Sequence, residues 1–519
     1  MPKPDLVKTG IAGLDNILHG GIPRGNVILV EGGIGVGKTT LGVEFVYRGA
    51  SHFNEPGIIV LFEVSPHKLM RDAANLGWDL EGLEREGRLK IVFTTREVLR
   101  QELQQADSVL LEEAAKIGAR RIFVDGVGRL VNGHGSGNGN GNGMPETRSS
   151  FHVLTEGLQR ENLTAILAVE ASATDGHMQG ISMYEESIAD TVMRLRVEEM
   201  QRAASRSIEI VKSRGQDFQM GRHTFRIIDG EGIRVYRRVQ APRVDRDRSA
   251  DFDPDTRIPT GIPGLDELLN GGYYVGSTTV IAGISGVGKS VMALQYIMNG
   301  ARHGERSLMF SLDEPVGQIE RNARSLGMDL KGALDSGLVR VEYEPPQEIE
   351  VDVHFAHIEK LVEEFEPRRV VFDSLSTYGS TLGTKGRMFR DFFHALTALM
   401  KEHQIAAVYN HENPEMLGMA SMMGEFAMSS LVDNIILMNW IEISDSFRLG
   451  LTVAKMRANP VDRVTRECEI ASPVGLRVLP RVLPVPEKKA FSTYAGLLSR
   501  APTRWVRKKD EGPVADSSG

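Results

Sequence analysis

Apolar positions along the chain fall into two kinds of segment that take turns. Short unbroken runs, "VILVEG" (residues 27–32), "GIIVLFE" (57–63), "RRIFVDG" (120–126) and "TAILAVE" (164–170), have the length and composition of strands. Between and after them come stretches such as "LGVEFVYRGA" (41–50) and "VMALQYIMNG" (291–300), whose apolar residues recur at helical spacing. A strand that is apolar throughout is buried on both faces, so the pattern predicts an α/β fold with parallel sheets covered by helices.

The whole pattern occurs twice. "KTGIAGLDNILHGGIPRGNVILVEGGIGVGKTT", from Lys8, aligns without gaps with "PTGIPGLDELLNGGYYVGSTTVIAGISGVGKSV", from Pro259, and "NLGWDL" (75–80) returns as "SLGMDL" (325–330). Two similar domains in tandem follow, expected at residues 1–240 and 257–505. A charged, proline-containing linker at 241–256 separates them, and a polar tail occupies 506–519. One segment breaks the pattern inside the first domain. Residues 132–145, "NGHGSGNGNGNGMP", alternate glycine and asparagine with too little apolar content to offset the entropy of ordering, and read as a flexible loop.

Each repeat opens on the spacing G-x-x-x-x-G-K-[ST]. Glycines at these positions let the backbone amides wrap a phosphate, the lysine meets the outer phosphates, and the hydroxyl reaches a magnesium ion. The residues assigned to ATP are therefore Gly32, Gly35, Gly37, Lys38, Thr39 and Thr40 in the first domain, and Gly283, Gly286, Gly288, Lys289 and Ser290 in the second. Thr39 and Ser290 are the first candidate ligands of Mg2+, and Asp125 and Asp373, each ending a downstream apolar run, are the second. An aspartate there also serves as a helix cap, and the motif alone leaves both roles open. Hydrolysis needs one more carboxylate to orient water or take a proton; Glu63 in "LFEVSP" and Asp313 with Glu314 in "FSLDEP" end the next strand of each repeat.

Composition narrows the remaining classes. With 519 residues, 41% of them hydrophobic, the chain can bury two cores, and the single cysteine, Cys468, excludes an internal disulfide framework or a multi-cysteine zinc site. The formal charge of −8 offers nucleic acid no general attraction, although Arg120, Arg121 and Arg129 form a local cluster. No apolar run reaches the ~18 residues that would span a bilayer, and a cytoplasmic protein without membrane or nucleic-acid partners is expected.

These features together resemble the KaiC family within the RecA-like superfamily: "TGIxGLDxxLxGG" before each loop, "SLGMDL" after it, and a final K-x-R in "VKSRGQ" and "AKMRAN". The resemblance implies a homo-hexameric ring with ATP between subunits, a first domain that hydrolyses ATP slowly and a second that phosphorylates hydroxyls. It implies that Lys212, Arg214, Lys455 and Arg457 reach the nucleotide of the adjacent subunit, where a cation stabilises the charge that accumulates during transfer; by itself a K-x-R on a strand is a solvated face. In "AMSSLVDNIILM" it places the phosphorylated hydroxyls at Ser429 and Ser430, and it brings in a KaiB-like or histidine-kinase signalling partner. The chain departs from the family pattern in Asp313, where the family has glutamate, in Val64, where it has a second acid, and in the tail, so a KaiA-like activator is not expected. The repeated loops also leave open a RecA-like DNA motor of the RadA type, against which stand the acidic charge and the missing four-cysteine motif, and a signalling scaffold held together by ATP.

Overall fold

The computed structural model describes residues 5–104, 109–127, 144–174, 177–179, 183–200, 203–241, 255–382, 387–412, 430–443 and 446–484. The chain divides into two compact units, one formed by Met1–Gln240 with Ile349–Lys360 and the other by Ala241–Glu348 with Leu361–Gly519. The first unit thus takes in a segment that sequence reading assigns to the second domain. Most of the 241–256 linker, most of the 132–145 loop and the 506–519 tail lie outside the described residues.

In the first unit the strands that carry the argument are β1 (Val27–Gly32), β2 (Gly57–Leu61), β3 (Leu89–Phe93), β4 (Arg121–Val124), β5 (Thr164–Glu170), β6 (Thr191–Met200), β7 (Ala203–Ser213), β8 (Arg222–Ile228) and β9 (Gly232–Tyr236). They form one sheet in the order β9-β8-β7-β6-β1-β5-β4-β2-β3. In the second unit β10 (Thr278–Gly283), β11 (Ser307–Ser311), β12 (Val339–Tyr343), β13 (Arg369–Asp373), β14 (Ala406–Glu412), β15 (Asn434–Ile443), β16 (Ser446–Met456), β17 (Arg466–Ala471) and β18 (Gly475–Val482) repeat that order strand for strand. The duplication seen in the sequence is a duplication of topology.

Strands β1 to β6 run parallel, and the apolar runs of β1, β2, β4 and β5 are buried on both faces as the pattern demands, while Phe93 at the edge in β3 is exposed. Ile28 and Val30 of β1 enter one core and Val27 and Leu29 the other. In the second unit Phe310, Phe372 and Tyr409 stack across three adjacent strands at 4.9 and 5.1 Å between ring centroids. Beyond β6 and β15 each sheet continues through three antiparallel strands that a purely parallel reading does not contain. Their apolar residues alternate with polar ones, as in β7, where Ile208 and Ile210 are buried and Glu209 lies between them.

Arg121 does not belong with a ligand-facing cluster of Arg120, Arg121 and Arg129, and the second unit repeats its arrangement at Arg369. Arg121 is fully buried, its guanidinium donating to Glu55 at 2.7 Å and to the carbonyls of Phe45 and Lys8 at 2.9 and 2.8 Å. Arg369 does the same with Glu305, Pro259 and Tyr296 at 2.7, 2.7 and 3.3 Å. A buried guanidinium is tolerated only with this full set of acceptors, because removing it from water without them costs several kcal/mol, of order 5. Arg121 therefore joins sheet, helix and N-terminal segment rather than facing a ligand; Arg129 lies outside the described residues.

Candidate nucleotide sites

Each P-loop joins the end of a central strand to a helix, α1 (Lys38–His52) after β1 and α2 (Lys289–Arg302) after β10. Gly37 and Gly288, the residues before these helices, have φ of 116° and 92°, a conformation open to glycine and strained for other residues. Among the described residues no side chain caps either helix, so the first amides are left to the loop and to whatever it encloses. An added Cβ at Gly35 or Gly286 would meet nothing within 4 Å, which leaves the rim of each loop clear.

The lysines fold back over their own loops. Lys38 Nζ donates to Gly32 O and Gly33 O at 2.8 and 2.7 Å, and Lys289 Nζ to Gly283 O and Ile284 O at 2.9 Å each. Burial pulls both ammonium groups below the ordinary lysine value, opposed by Glu170 and Asp125 at the first and by Glu412 and Asp373 at the second. Glu170 and Glu412 escaped the sequence reading. They end equivalent strands, paired in register with Gly32 and Gly283, and the signal that could have found them is their recurrence at the end of the same strand in both repeats.

Beside each lysine stand a hydroxyl and an aspartate. Thr39 Oγ1 donates to Asp125 Oδ2 at 2.8 Å, and Ser290 and Asp373 line the same cavity. Burial pushes both aspartates above their usual range; Glu63 adds to this at Asp125, and Asp313 at Asp373. Glu63 shares Arg96 with the carbonyl of Gly126, next to Asp125, and Asp313 accepts from Ser374, next to Asp373. Thr40 is the third residue of α1, and its counterpart Val291 has no hydroxyl.

The two carboxylates are held in different ways. Glu63 Oε1 accepts from Arg96 Nη2 at 2.8 Å, while Arg96 Nε donates to Gly126 O at 2.9 Å and the guanidinium lies 5.0 Å from the Phe62 ring. Asp313 accepts from Thr377 Oγ1 at 2.8 and 3.1 Å and from Ser374 Oγ at 3.0 Å; both hydroxyls come from the residues after β13, at and just before α3 (Leu375–Leu382). Glu314, read from sequence as the partner of Asp313, turns elsewhere. Its Oε2 accepts from Asn322 Nδ2 at 3.0 Å, and it lines a cavity of ≈ 270 Å³ that runs past Val291, Leu294 and Met309 to Ser290 and Asp373.

Four cations and a serine complete the picture. Lys212 Nζ donates to the carbonyls of Glu186, Ser187 and Ala189, and Arg214 to that of Ser187 at 2.6 Å. Lys455 Nζ donates to Val432 O and Arg457 to Ser430 O at 2.9 Å. Each pair thus holds the segment that leads into β6 or β15, with the side chain of Arg214 55% and that of Arg457 54% exposed. Ser430 is exposed at the start of that segment; Ser429 lies outside the described residues.

Oxygen donors in this arrangement suit a hard cation. Among the described residues no group of three or more His, Cys, Asp and Glu could hold a metal, so a magnesium ion would rely on Thr39 and Asp125, or Ser290 and Asp373, together with phosphate oxygens and water. A mostly parallel sheet, a glycine loop with its lysine, a hydroxyl and a strand-end aspartate, all present twice, define a tandem P-loop ATPase of the RecA-like class. The family model "ATPase: KaiC" matches residues 7–240 and again 258–482, and the chain belongs to the KaiC family. It is 30% identical over 504 residues to the circadian clock oscillator protein KaiC of Picosynechococcus sp., covering 96% of this chain and 92% of that one. The KaiC of Acaryochloris marina is 29% identical over 504 residues, 96% of this chain and 91% of the relative. The circadian clock protein KaiC3 of Synechocystis sp. is 30% identical over 473 residues, 90% of each chain. No helix of the described residues is long and apolar enough to cross a membrane.

Proposed function

We propose that both sites hydrolyse or transfer the γ-phosphoryl group of ATP with magnesium, the first domain to water and the second to the chain's own Ser429 or Ser430, in a homo-hexameric ring. The observation that carries this reading is the doubled set of lysine, hydroxyl and aspartate, each with a further carboxylate at its edge. Loop amides and Lys38 or Lys289 bind the phosphates, and bound magnesium supplies charge neutralisation at the oxygens it touches. Glu63 orients the attacking water in the first site. In the second, Asp313 accepts the proton of the serine hydroxyl as its oxygen attacks.

Arg214 and Arg457 support the ring. Each is anchored to a carbonyl of its own segment and paired with an aspartate, Arg214 with Asp190 at 3.7 Å and Arg457 with Asp433 at 3.2 Å, and its side chain stays more than half exposed, where it can meet the nucleotide of the adjacent subunit. Relatives named as circadian clock proteins support a timing or signalling role for such a ring. The test is incubation of the full chain with γ-labelled ATP and magnesium, followed by phosphosite mapping. Label is expected on Ser429 or Ser430; label absent from both while phosphate is released refutes the kinase half, and ATP left intact refutes the reading as a whole.

A further inference from the structure

The carboxylate of Asp313 is the focus of a converging set of hydroxyls. Thr377 Oγ1 spans both of its oxygens at 2.8 and 3.1 Å, and Ser374 Oγ donates to Oδ2 at 3.0 Å. Thr377 and Ser374 are 2.9 Å from each other, Ser376 Oγ lies 3.4 Å from Ser374 Oγ, and Ser376 in turn accepts the Glu412 amide at 2.7 Å. Every donor in the series Glu412 N–H, Ser376, Ser374 is aimed toward the carboxylate, and hydrogen bonds polarised in one direction reinforce one another. The same stretch of the first domain is "DGVG", residues 125–128, without a hydroxyl.

We infer that Thr377 is the positioning residue of the second nucleotide site. It fixes Asp313 in the orientation from which that carboxylate takes a proton, an inference that rests on the role proposed for Asp313. Aspartate has one rotatable bond fewer than glutamate and reaches less far, so its useful orientation is narrow; a hydroxyl that bridges both oxygens selects one rotamer and one ring of directions. Ser374 alone contacts one oxygen and leaves the carboxylate able to turn about its own axis. Thr377 removes that freedom from the edge of α3, and through Ser374 and Ser376 the carboxylate is referred to the end of β14 beside the P-loop.

The experiment uses the full chain carrying Glu63→Gln, so that the second site supplies the measured phosphoryl transfer, and compares T377V, T377S and D313N within it. T377V keeps the shape and removes the hydroxyl. It is expected to lower kcat by about 10- to 100-fold with KM for ATP changed less than about 2-fold, because the bridge orients a reacting group and does not touch the nucleotide. T377S is expected to return kcat to within about 3-fold of the parent, and the melting temperatures of all three are read alongside. T377V that keeps its kcat while D313N is inactive overturns the positioning role and leaves the reading of Asp313 standing. A loss in T377V that T377S does not restore overturns it as well, since the hydroxyl is then not what matters. D313N as active as the parent overturns the role of Asp313 and this inference with it.

Discussion

Two sites built on the same strands restrain the carboxylates proposed to act in them, Glu63 and Asp313, with different chemistry. In the first, Arg96 holds Glu63 with a full positive charge; in the second, Ser374 and Thr377 hold Asp313 with neutral donors. The difference extends outward. "EESIAD" (185–190) precedes β6 and "MSSLVD" (428–433) precedes β15, so Glu186 stands where the second domain has Ser429, and it is already paired with Arg194 at 2.9 Å. Val169 in the first domain has His411 as its counterpart in the second, where burial and the nearby Lys289 push the imidazole down to about 4 and keep it uncharged. A common frame thus carries Arg96 and the paired Glu186 beside the first site where the second has neutral hydroxyls and an uncharged His411, the contrast that the proposed division between hydrolysis and transfer to a hydroxyl calls for.

Arg96 gives the most forceful way to break this comparison. In a chain whose second site is silenced by Lys289→Ala, Arg96→Gln is expected to lower ATP turnover by about 10-fold, since Glu63 loses its anchor to Gly126 as well as its charge partner. The pair is exposed on the Glu63 side, so turnover of the first site should also fall as salt rises from about 0.05 to 0.5 M, while the hydroxyl-held second site should respond less. Equal salt responses in the two singly silenced chains, with R96Q as fast as its parent, would show that the charge on the anchor is irrelevant.

A smaller effect lies behind the loops. Glu44 on α1 and Gln295 on α2 occupy the same turn and accept equivalent amides, Ile233 N at 2.7 Å and Leu476 N at 2.8 Å. Gln295 also donates to the carbonyls of Val474 and Leu476, which an ionised glutamate cannot do. Burial raises Glu44 to about 7 from 4.5, against the opposing pull of Ile233 N–H and Arg48. The folded unit therefore holds a proton that the unfolded chain releases near 4.5, and the stability tied to it is present below that pH and lost as pH climbs toward 7. Glu44→Gln should stabilise the first unit at pH 8, by roughly 1–3 kcal/mol, with the gain fading by pH 5. Melting curves of the two proteins that stay parallel from pH 5 to pH 8 would remove this account of Glu44.

Much of the site was legible because its signals are local. The P-loops, the hydroxyls at Thr39 and Ser290 and the strand-end acids Asp125 and Asp373 sit at fixed offsets from apolar runs, where backbone conformation and chemistry are written in a few adjacent residues. The repeat doubled each signal. What stayed hidden arises between residues far apart in the chain: Arg96 meets Glu63 across 33 positions, Thr377 meets Asp313 across 64, and Gln295 meets Leu476 across 181. Nothing in "TTREVL" announces which carboxylate its arginine will find. Charge patterning misled at Arg121 for the same reason, since the half-buried Glu55 and the carbonyls that satisfy it come from other elements. The antiparallel half of each sheet was missed because strands with polar residues on alternate positions lack the continuous apolar runs that marked the rest.

The claim on which the rest depends is that each domain grips its own triphosphate, and the direct measurement is the number of ATP molecules bound per chain in magnesium buffer. Two are expected for the unmodified chain, one for Lys38→Ala, one for Lys289→Ala, and none when both lysines are replaced. A single nucleotide in the unmodified chain, or a count that neither lysine changes, would contradict the account.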